Sequence, residues 1–256
     1  MPYRSRRPCI YFARVASRFA TVADGRHGRR QEVVVTLADG RATRARRLLV
    51  ATGLVDALPE IPGLHARWGR DVLHCPYCHG WEARDRPIGI IGASPMAVHG
   101  ALLWRQWSDD IVYFPRHLDA PTGEQAEQLA ARGIRVVTGE VAVVETDADR
   151  LTGVRMGDGT IVAREVLAVP SRMLARAEAL APLGLKAVEH PSGTGEHVPA
   201  DPTGRTEAPG IWVAGNITDL SAQVGGAAAA GAFAGAQINL DLLAEDTRRA
   251  VTADRS

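Results

Sequence analysis

A chain of 256 residues with a formal net charge of +1 can bury a substantial core, but it has no global field that would attract nucleic acid. Aromatic residues make up 5% of it, too few for a base-stacking surface. Its cysteines, Cys9, Cys75 and Cys78, are an odd and sparse set. That excludes a secreted disulfide framework and leaves the close pair as redox-active or metal-binding.

Residues 1–30 carry eight arginines against the single acid Asp24 and read as an irregular basic arm. The first 20 residues hold no uninterrupted apolar stretch of the kind a secretory signal needs. The best candidate for a bilayer span, residues 224–243, is broken by Gln237, Asn239 and Asp241. A cytoplasmic protein with no membrane partner is therefore expected.

Residues 32–37 are rich in β-branched side chains and read as a strand, followed by a hairpin signal at Ala38-Asp39-Gly40. Residues 48–51 form a short apolar strand ending at Thr52-Gly53. The proline-punctuated run 58–63 reads as a connector between domains. After the cysteine segment, a buried-type strand at 88–91 leads through Gly92-Ala93-Ser94-Pro95 into a helix over 96–107. Ser94 suits its N-cap and Pro95 its first position. Strands at 111–114 and 134–137 flank a helix at 124–132, an alternation that calls for a parallel sheet. Strands at 140–145, 151–156 and 166–169 follow, the last two separated by a hairpin at Gly157-Asp158-Gly159.

A weak internal repeat is visible. Asp39-Gly40 and Asp158-Gly159 are each followed ten residues on by an apolar strand, which suggests two related nucleotide-binding units. Near the end, 210–216 reads as a short buried strand with a turn, and 223–244 as a helix of small residues. Gly226, Gly231 and Gly235 each cost that helix about 1 kcal/mol relative to alanine. The pattern predicts a close neighbour, either a strand or a cofactor.

Cys75-Pro76-Tyr77-Cys78 can close a small disulfide ring whose potential the surroundings tune. His74 and His79 flank it, and either could move a proton or stabilise a thiolate. A structural zinc site would need four ligands, and the adjacent histidines are awkwardly placed for it. Attachment of a c-type haem would require export. The CPYC tetrad is glutaredoxin-like, but there a helix runs on from the motif, and here Gly80 and Pro87 stand in its way. Buried inert thiols remain the plain alternative. Gly92 to Ala97 is a degenerate G-x-G-x-x-A with Ser94 at the second glycine, so it suits either a phosphate or an ordinary strand-to-helix turn. Arg116 and His117, past the second strand, suit a 2′-phosphate and hence NADPH over NADH.

Taken in order over residues 32–249, these motifs resemble the thioredoxin reductase-like branch of the pyridine nucleotide–disulfide oxidoreductases. Leu49-Val50-Ala51-Thr52-Gly53 looks like the segment near the flavin. Gly210 to Asp219 resembles the second flavin motif, and Gln223 leads the helix beneath the isoalloxazine. The phrase Cys75-Pro-Tyr-Cys78-His79-Gly80 is similar to the dithiol oxidases of the gliotoxin and holomycin type.

The resemblance implies an α/β fold of two Rossmann-like, three-layer ββα nucleotide-binding units, the FAD unit incomplete at its N-terminus. It implies an irregular basic segment at 1–31, a discontinuous FAD domain at 32–66 and 170–256, and an inserted NAD(P)-binding-like domain at 67–169 carrying the dithiol. Implied cofactors are FAD and NADPH, contacted by Thr52, Gly53, Gly215, Asn216 and Gln223 for the first, and by Gly92, Ser94 and Arg116 for the second. Cys78 would face the flavin, Cys75 would exchange with substrate, and His79 would be the acid/base. The implied substrate is a small dithiol or disulfide or a thioredoxin-like protein, and the implied assembly a homodimer. Asn216 stands where the reductases have an aspartate. No G-x-G-x-x-G precedes Val33, so weak FAD affinity is expected of this chain. The alternative to a flavoenzyme is a redox sensor that keeps only the dithiol switch, with a metal-binding module third.

Overall fold

The computed structural model describes residues 16–22 as backbone, together with residues 32–37, 39–94 and 96–255. The chain forms two compact units, one holding Met1–Val55 with Met173–Ser256 and the other Asp56–Arg172.

In the first unit, β1 (Ala16–Val22), β2 (Glu32–Leu37) and β3 (Ala42–Ala45) form an antiparallel meander. Strand β1 corrects the irregular reading of 1–31. Among the described residues it pairs with the edge of β2, Ala20 opposite Val34, a contact that nothing local announces in an arginine-rich stretch. The turn between β2 and β3 places Gly40 at φ +83, where a side chain would be strained. Ala38 lies outside the described residues. Then come β4 (Leu48–Val50) and β5 (Leu54–Ala57).

The second unit runs β6 (Val72–Leu73), α1 (Pro76–Ala83), β7 (Ile88–Ile91), α2 (Ala97–Trp104), β8 (Ile111–Phe114), α3 (Gly123–Ala131) and β9 (Arg135–Val136). A meander follows, of β10 (Val141–Asp147), β11 (Arg150–Met156) and β12 (Ile161–Ala163), and then β13 (Val166–Ala168). The parallel sheet has the order β6-β13-β7-β8-β9. Every residue of β7 and β8 is buried, because both faces of the sheet are covered. Ala97, Ala101, Trp104 and Leu129 of the helices pack with Ile88, Ile90 and Tyr113. Val144, Leu151, Val154 and Met156 of the meander pack with Ile91, Val112 and Phe114. Sheet, helices and meander are the three layers of an α/β unit.

A buried ion-pair network pins the meander. Arg67 donates to Asp71 (Nε, 2.7 Å) and to Asp149 (Nη1, 2.8 Å), and the Leu151 amide donates to Asp71 at 3.0 Å. Ala148 and Asp149 form the β10–β11 turn with φ +45 and +61.

Helix α2 is shorter than the sequence suggested, and Ser94 is not its N-cap. Met96 occupies that position with no side-chain cap bond, while the Ala97 amide bonds to the Ser94 carbonyl at 3.0 Å, a preceding turn. Pro95 lies outside the described residues. Helix α1, by contrast, does run on from the cysteines, against the expectation that Gly80 would interrupt it. A Cβ at Gly80 would lie 2.2 Å from the Trp107 indole nitrogen, so close packing requires glycine inside this helix.

Back in the first unit, β14 (Arg172–Ala175) pairs with β5, β15 (Val188–Glu189) with β16 (Glu196–His197), and β17 (Ile211–Val213) runs parallel to β4. The chain's final helix, α4 (Val224–Asp254), is 31 residues long. Both halves of the suspected repeat are real in form: β2–β3 leads into β4, and β11–β12 into β13, each a hairpin feeding a parallel pairing.

One expectation about α4 changes. By length and composition it is apolar enough to cross a membrane, although its sequence looked interrupted; Asp241 and Glu245, however, are paired with Arg47 at 2.6 and 2.8 Å. A Cβ added at Gly225, Gly226, Gly231 or Gly235 would meet nothing within 4 Å among the described residues outside the helix's own backbone, so no strand is the close neighbour of these glycines. Only Ala234 is fully buried, over Trp212 and Ala214.

Candidate functional site

Cys75 and Cys78 sit at the start of α1, the first at the N-cap in extended conformation and the second in the first turn. Pro76 follows the N-cap because the missing amide hydrogen is no loss there. The Cys78 amide donates to the Cys75 carbonyl at 3.2 Å, and the His79 amide to the same carbonyl at 3.1 Å. Cys75 is half-buried and Cys78 exposed, and both are free thiols, which excludes the reading as buried inert cysteines. A side-chain hydrogen bond with Cys75, with burial second, pushes the Cys78 thiol up to about 11. Among the described residues no group of three metal-ligating side chains exists, so the zinc reading finds no support.

The flanking histidines differ. His79 is exposed, with no side-chain partner among the described residues. His74 is half-buried, and its Nδ1 lies 3.2 Å from the Val169 carbonyl, 3.2 Å from Ser171 Oγ and 3.3 Å from the Ser171 amide. Ser171 Oγ donates in turn to Asp56 at 2.6 Å. Sequence reasoning named neither Ser171 nor Asp56; they lie 97 and 115 residues from the partners they meet here, so no local signal could have found them. On the exposed side of α1, Tyr77 and Trp81 stand one turn apart, and the Arg84 guanidinium stacks 3.8 Å from the Trp81 ring centre.

In the same unit, Gly92 is glycine for a packing reason: a Cβ there would lie 2.6 Å from the Pro115 carbonyl oxygen. Ser94 is half-buried in the turn ahead of α2, so the phosphate reading of this turn loses its capping residue. Arg116 is half-buried after β8 with φ +59, and its guanidinium has no partner among the described residues. Burial lowers its pKa.

The first unit brings together the residues assigned to a flavin. The ends of β4 and β17 lie side by side, and Gly53 and Gly215 follow them at φ +75 and +79. A Cβ at Gly53 would reach 3.4 Å from Asn216 Oδ1. Thr52 Oγ1 donates to the Arg176 carbonyl at 2.7 Å. The Asn216 carboxamide is half-buried and unpaired among the described residues, and Gln223 is the exposed N-cap of α4. A half-buried amide without a partner among the described residues, beside two left-handed glycines, is a cradle suited to a polar, planar group, and these residues fit the flavin end of FAD.

The family profile described as pyridine nucleotide-disulphide oxidoreductase matches residues 14–235. The chain is 27% identical over 238 residues to "Thioredoxin reductase sirT" of Leptosphaeria maculans, covering 88% of this chain and 72% of that protein. It is 27% identical to "Thioredoxin reductase tcpT" of Claviceps purpurea over 213 residues, 80% of this chain and 65% of that one. Among solved structures it is similar to HlmI, with 39% identity and a TM-score of 0.82 over 93% of this chain and 72% of that one. An oxidoreductase from Agrobacterium tumefaciens is 34% identical, with a TM-score of 0.78 over 89% and 72% of the two chains.

Proposed function

The chain belongs to the pyridine nucleotide-disulphide oxidoreductase family, of the thioredoxin reductase-like, flavin-dependent kind, and from that premise we propose that it exchanges dithiols and disulfides through Cys75 and Cys78. The observation that carries this reading is the placement of both free thiols at one helix N-terminus, where a hydrogen bond with Cys75 raises the Cys78 thiol.

The helix dipole favours negative charge at the N-cap, which makes Cys75 the thiol that exchanges with substrate. In the oxidising direction a substrate thiolate attacks Cys75 of the enzyme disulfide. The Cys75–Cys78 bond breaks, Cys78 leaves with the electron pair, and the substrate's second thiolate then displaces Cys75 to close its own disulfide. FAD, held by Thr52, Gly53, Gly215, Asn216 and Gln223, would supply the two-electron sink or source that resets the pair.

The resemblance of Cys75-Pro-Tyr-Cys78-His79-Gly80 to the dithiol oxidases of the gliotoxin and holomycin type favours a small-molecule dithiol over a thioredoxin-like protein. Exposed Tyr77 and Trp81 beside Cys78 offer flat apolar surface for such a substrate. Arg116 supports a site for a phosphate of NADPH, while the turn at Gly92 supports one less well. A cytoplasmic homodimer without a membrane or nucleic-acid partner completes the proposal.

Purified protein should show a flavin band at roughly 450 nm, retained through gel filtration or restored by added FAD. It should oxidise a small dithiol with oxygen uptake, an activity lost in Cys75→Ser and in Cys78→Ser. A colourless chain that cannot be reconstituted defeats the reading.

A further inference from the structure

Helix α4 docks on the first unit by one row of side chains. Ala227 lies beside Gly215, where an added Cβ would come within 3.5 Å of it. Ala234 and Ile238 pack with Trp212 and Ala214, and Asp241 and Glu245 pair with Arg47. At 3.6 residues per turn, a second row lies roughly 140° round the helix from the first. It holds Gly226, Ala229, Phe233, Ala236, Leu240 and Leu243, spaced alternately three and four apart like the seam of a coiled coil. All six are exposed, Phe233 by 50%, Leu240 by 56% and Leu243 by 60%. A continuous apolar line of this kind marks a surface that another body covers.

The order of sizes along the seam names that body. Read from its start, the row is Gly, Ala, Phe, Ala, Leu, Leu. Set antiparallel against a copy of itself, it matches Gly226 with the partner's Leu243, Ala229 with the partner's Leu240, and Phe233 with the partner's Ala236. Each match lays a large side chain on a small one, which lets facing helices interdigitate. A twofold axis repeats every match, so one register fills both ends. Parallel pairing would set Phe233 on its own counterpart and Gly226 on its own, crowding one level and leaving a void at another. Charge agrees with self-pairing. Residues 224–240 include no ionisable side chain, and Asp246, the one charged residue flanking the seam, is already paired with Arg46 at 2.7 Å. A lipid bilayer fits less well, because Asp241, Glu245, Asp246, Arg248 and Arg249 charge the second half of the helix.

We propose that the exposed seam of α4 is the contact between two copies of this chain, packed antiparallel about a twofold axis between Phe233 and Ala236. The proposal rests on the homodimer named above and deepens it by giving that dimer an interface; dithiol exchange does not enter it. The contact runs over residues 226–243, about 27 Å of helix. It supplies at Gly226 the close neighbour that the sequence predicts. None of the seam residues belongs to the flavin cradle, and Gly215 meets Ala227 on the docked row instead.

The first test is sedimentation velocity on the full, reduced chain, with and without added FAD, which should show a dimer at roughly 100 µM. Leu240→Glu sets a carboxylate on the partner's apolar seam and should raise the dissociation constant by roughly tenfold or more. A circular dichroism spectrum and denaturant midpoint matching the parent's would show that this variant folds.

The second test fixes the register by cross-linking. In a chain carrying Cys9→Ser, Cys75→Ser and Cys78→Ser, Ala229→Cys is added to one preparation and Leu240→Cys to another. Mild oxidation of the mixture should link the two, and either preparation alone should link to itself roughly tenfold less. The proposal is overturned by a parent that stays monomeric, or by one that is monomeric and floats with phosphatidylcholine vesicles. It is equally overturned by self-linking of Ala229→Cys as efficient as linking in the mixture. A dimer that withstands Leu240→Glu would leave the homodimer standing and refute this interface, whereas a monomeric parent would remove both.

Discussion

The Cys78 amide is bonded to the Cys75 carbonyl at 3.2 Å, and the two thiols that this turn brings together hydrogen-bond with each other, lifting Cys78 to about 11. Cys78 therefore holds its proton across the neutral range. Limited alkylation at pH 7 followed by peptide mass spectrometry should label Cys75 well before Cys78, although Cys78 is the more exposed. The sign for stability follows from the raised value. The reduced, folded state is favoured below the ordinary thiol pKa of 9.0, and that gain is lost as the pH rises through about 11. Denaturant midpoints of the reduced protein should fall over that window, and Cys78→Ser should remove the fall.

Asp71 is a second point of leverage. Burial alone would raise its carboxyl, but Arg67 and the Leu151 amide together hold it below the usual carboxylate range. Asp71→Ala leaves the Arg67 guanidinium buried without its nearest partner, and should cost about 3–5 kcal/mol in chemical denaturation.

Acid should loosen the same network from its exposed end. Arg70 first, and then Arg67, hold Asp149 down at about 2, against an ordinary 3.8. A depressed carboxyl stabilises the fold above the ordinary value and loses that contribution as the pH falls through the depressed one. Circular dichroism melts taken between pH 4 and pH 2 should drop more steeply for the parent than for Asp149→Asn. Equal slopes would show that the turn contributes nothing to acid stability.

Arg47 clamps α4 to the first unit through Asp241 and Glu245, with its side chain only 12% exposed. Arg47→Ala leaves Asp241 with Arg205 and Glu245 with Arg46 and Arg249, and should cost about 1 kcal/mol. Limited proteolysis should then cut within the second half of α4 before anywhere in the parallel sheet.

Gly63 sits at φ +86, where a Cβ would lie 2.8 Å from the Val144 carbonyl oxygen. Gly63→Ala combines left-handed strain with a backbone clash and should lower unfolding free energy by about 2 kcal/mol or more. A neutral outcome would mean that the loop after Pro62 can withdraw from β10.

What could be read without the structure was whatever lies within a few residues along the chain. The apolar runs at 88–91 and 111–114 are strands because both faces of a parallel sheet are covered, and the Cys75–Cys78 spacing declares a dithiol by itself. Hairpins at Gly40 and Gly159 were legible because a left-handed position selects glycine. Only tertiary structure decided the rest. The Trp107 indole requires glycine inside the helix at position 80, and the Pro115 carbonyl requires glycine at position 92. The edge of β2 turns 16–22 into a strand. Ser171 and Asp56 reach His74 from far along the chain. The sequence by itself determined which atoms could carry the chemistry, since thiols at that spacing are a local fact. Which side chains meet the residues beside them depends on groups distant in sequence, and so only the fold could decide it.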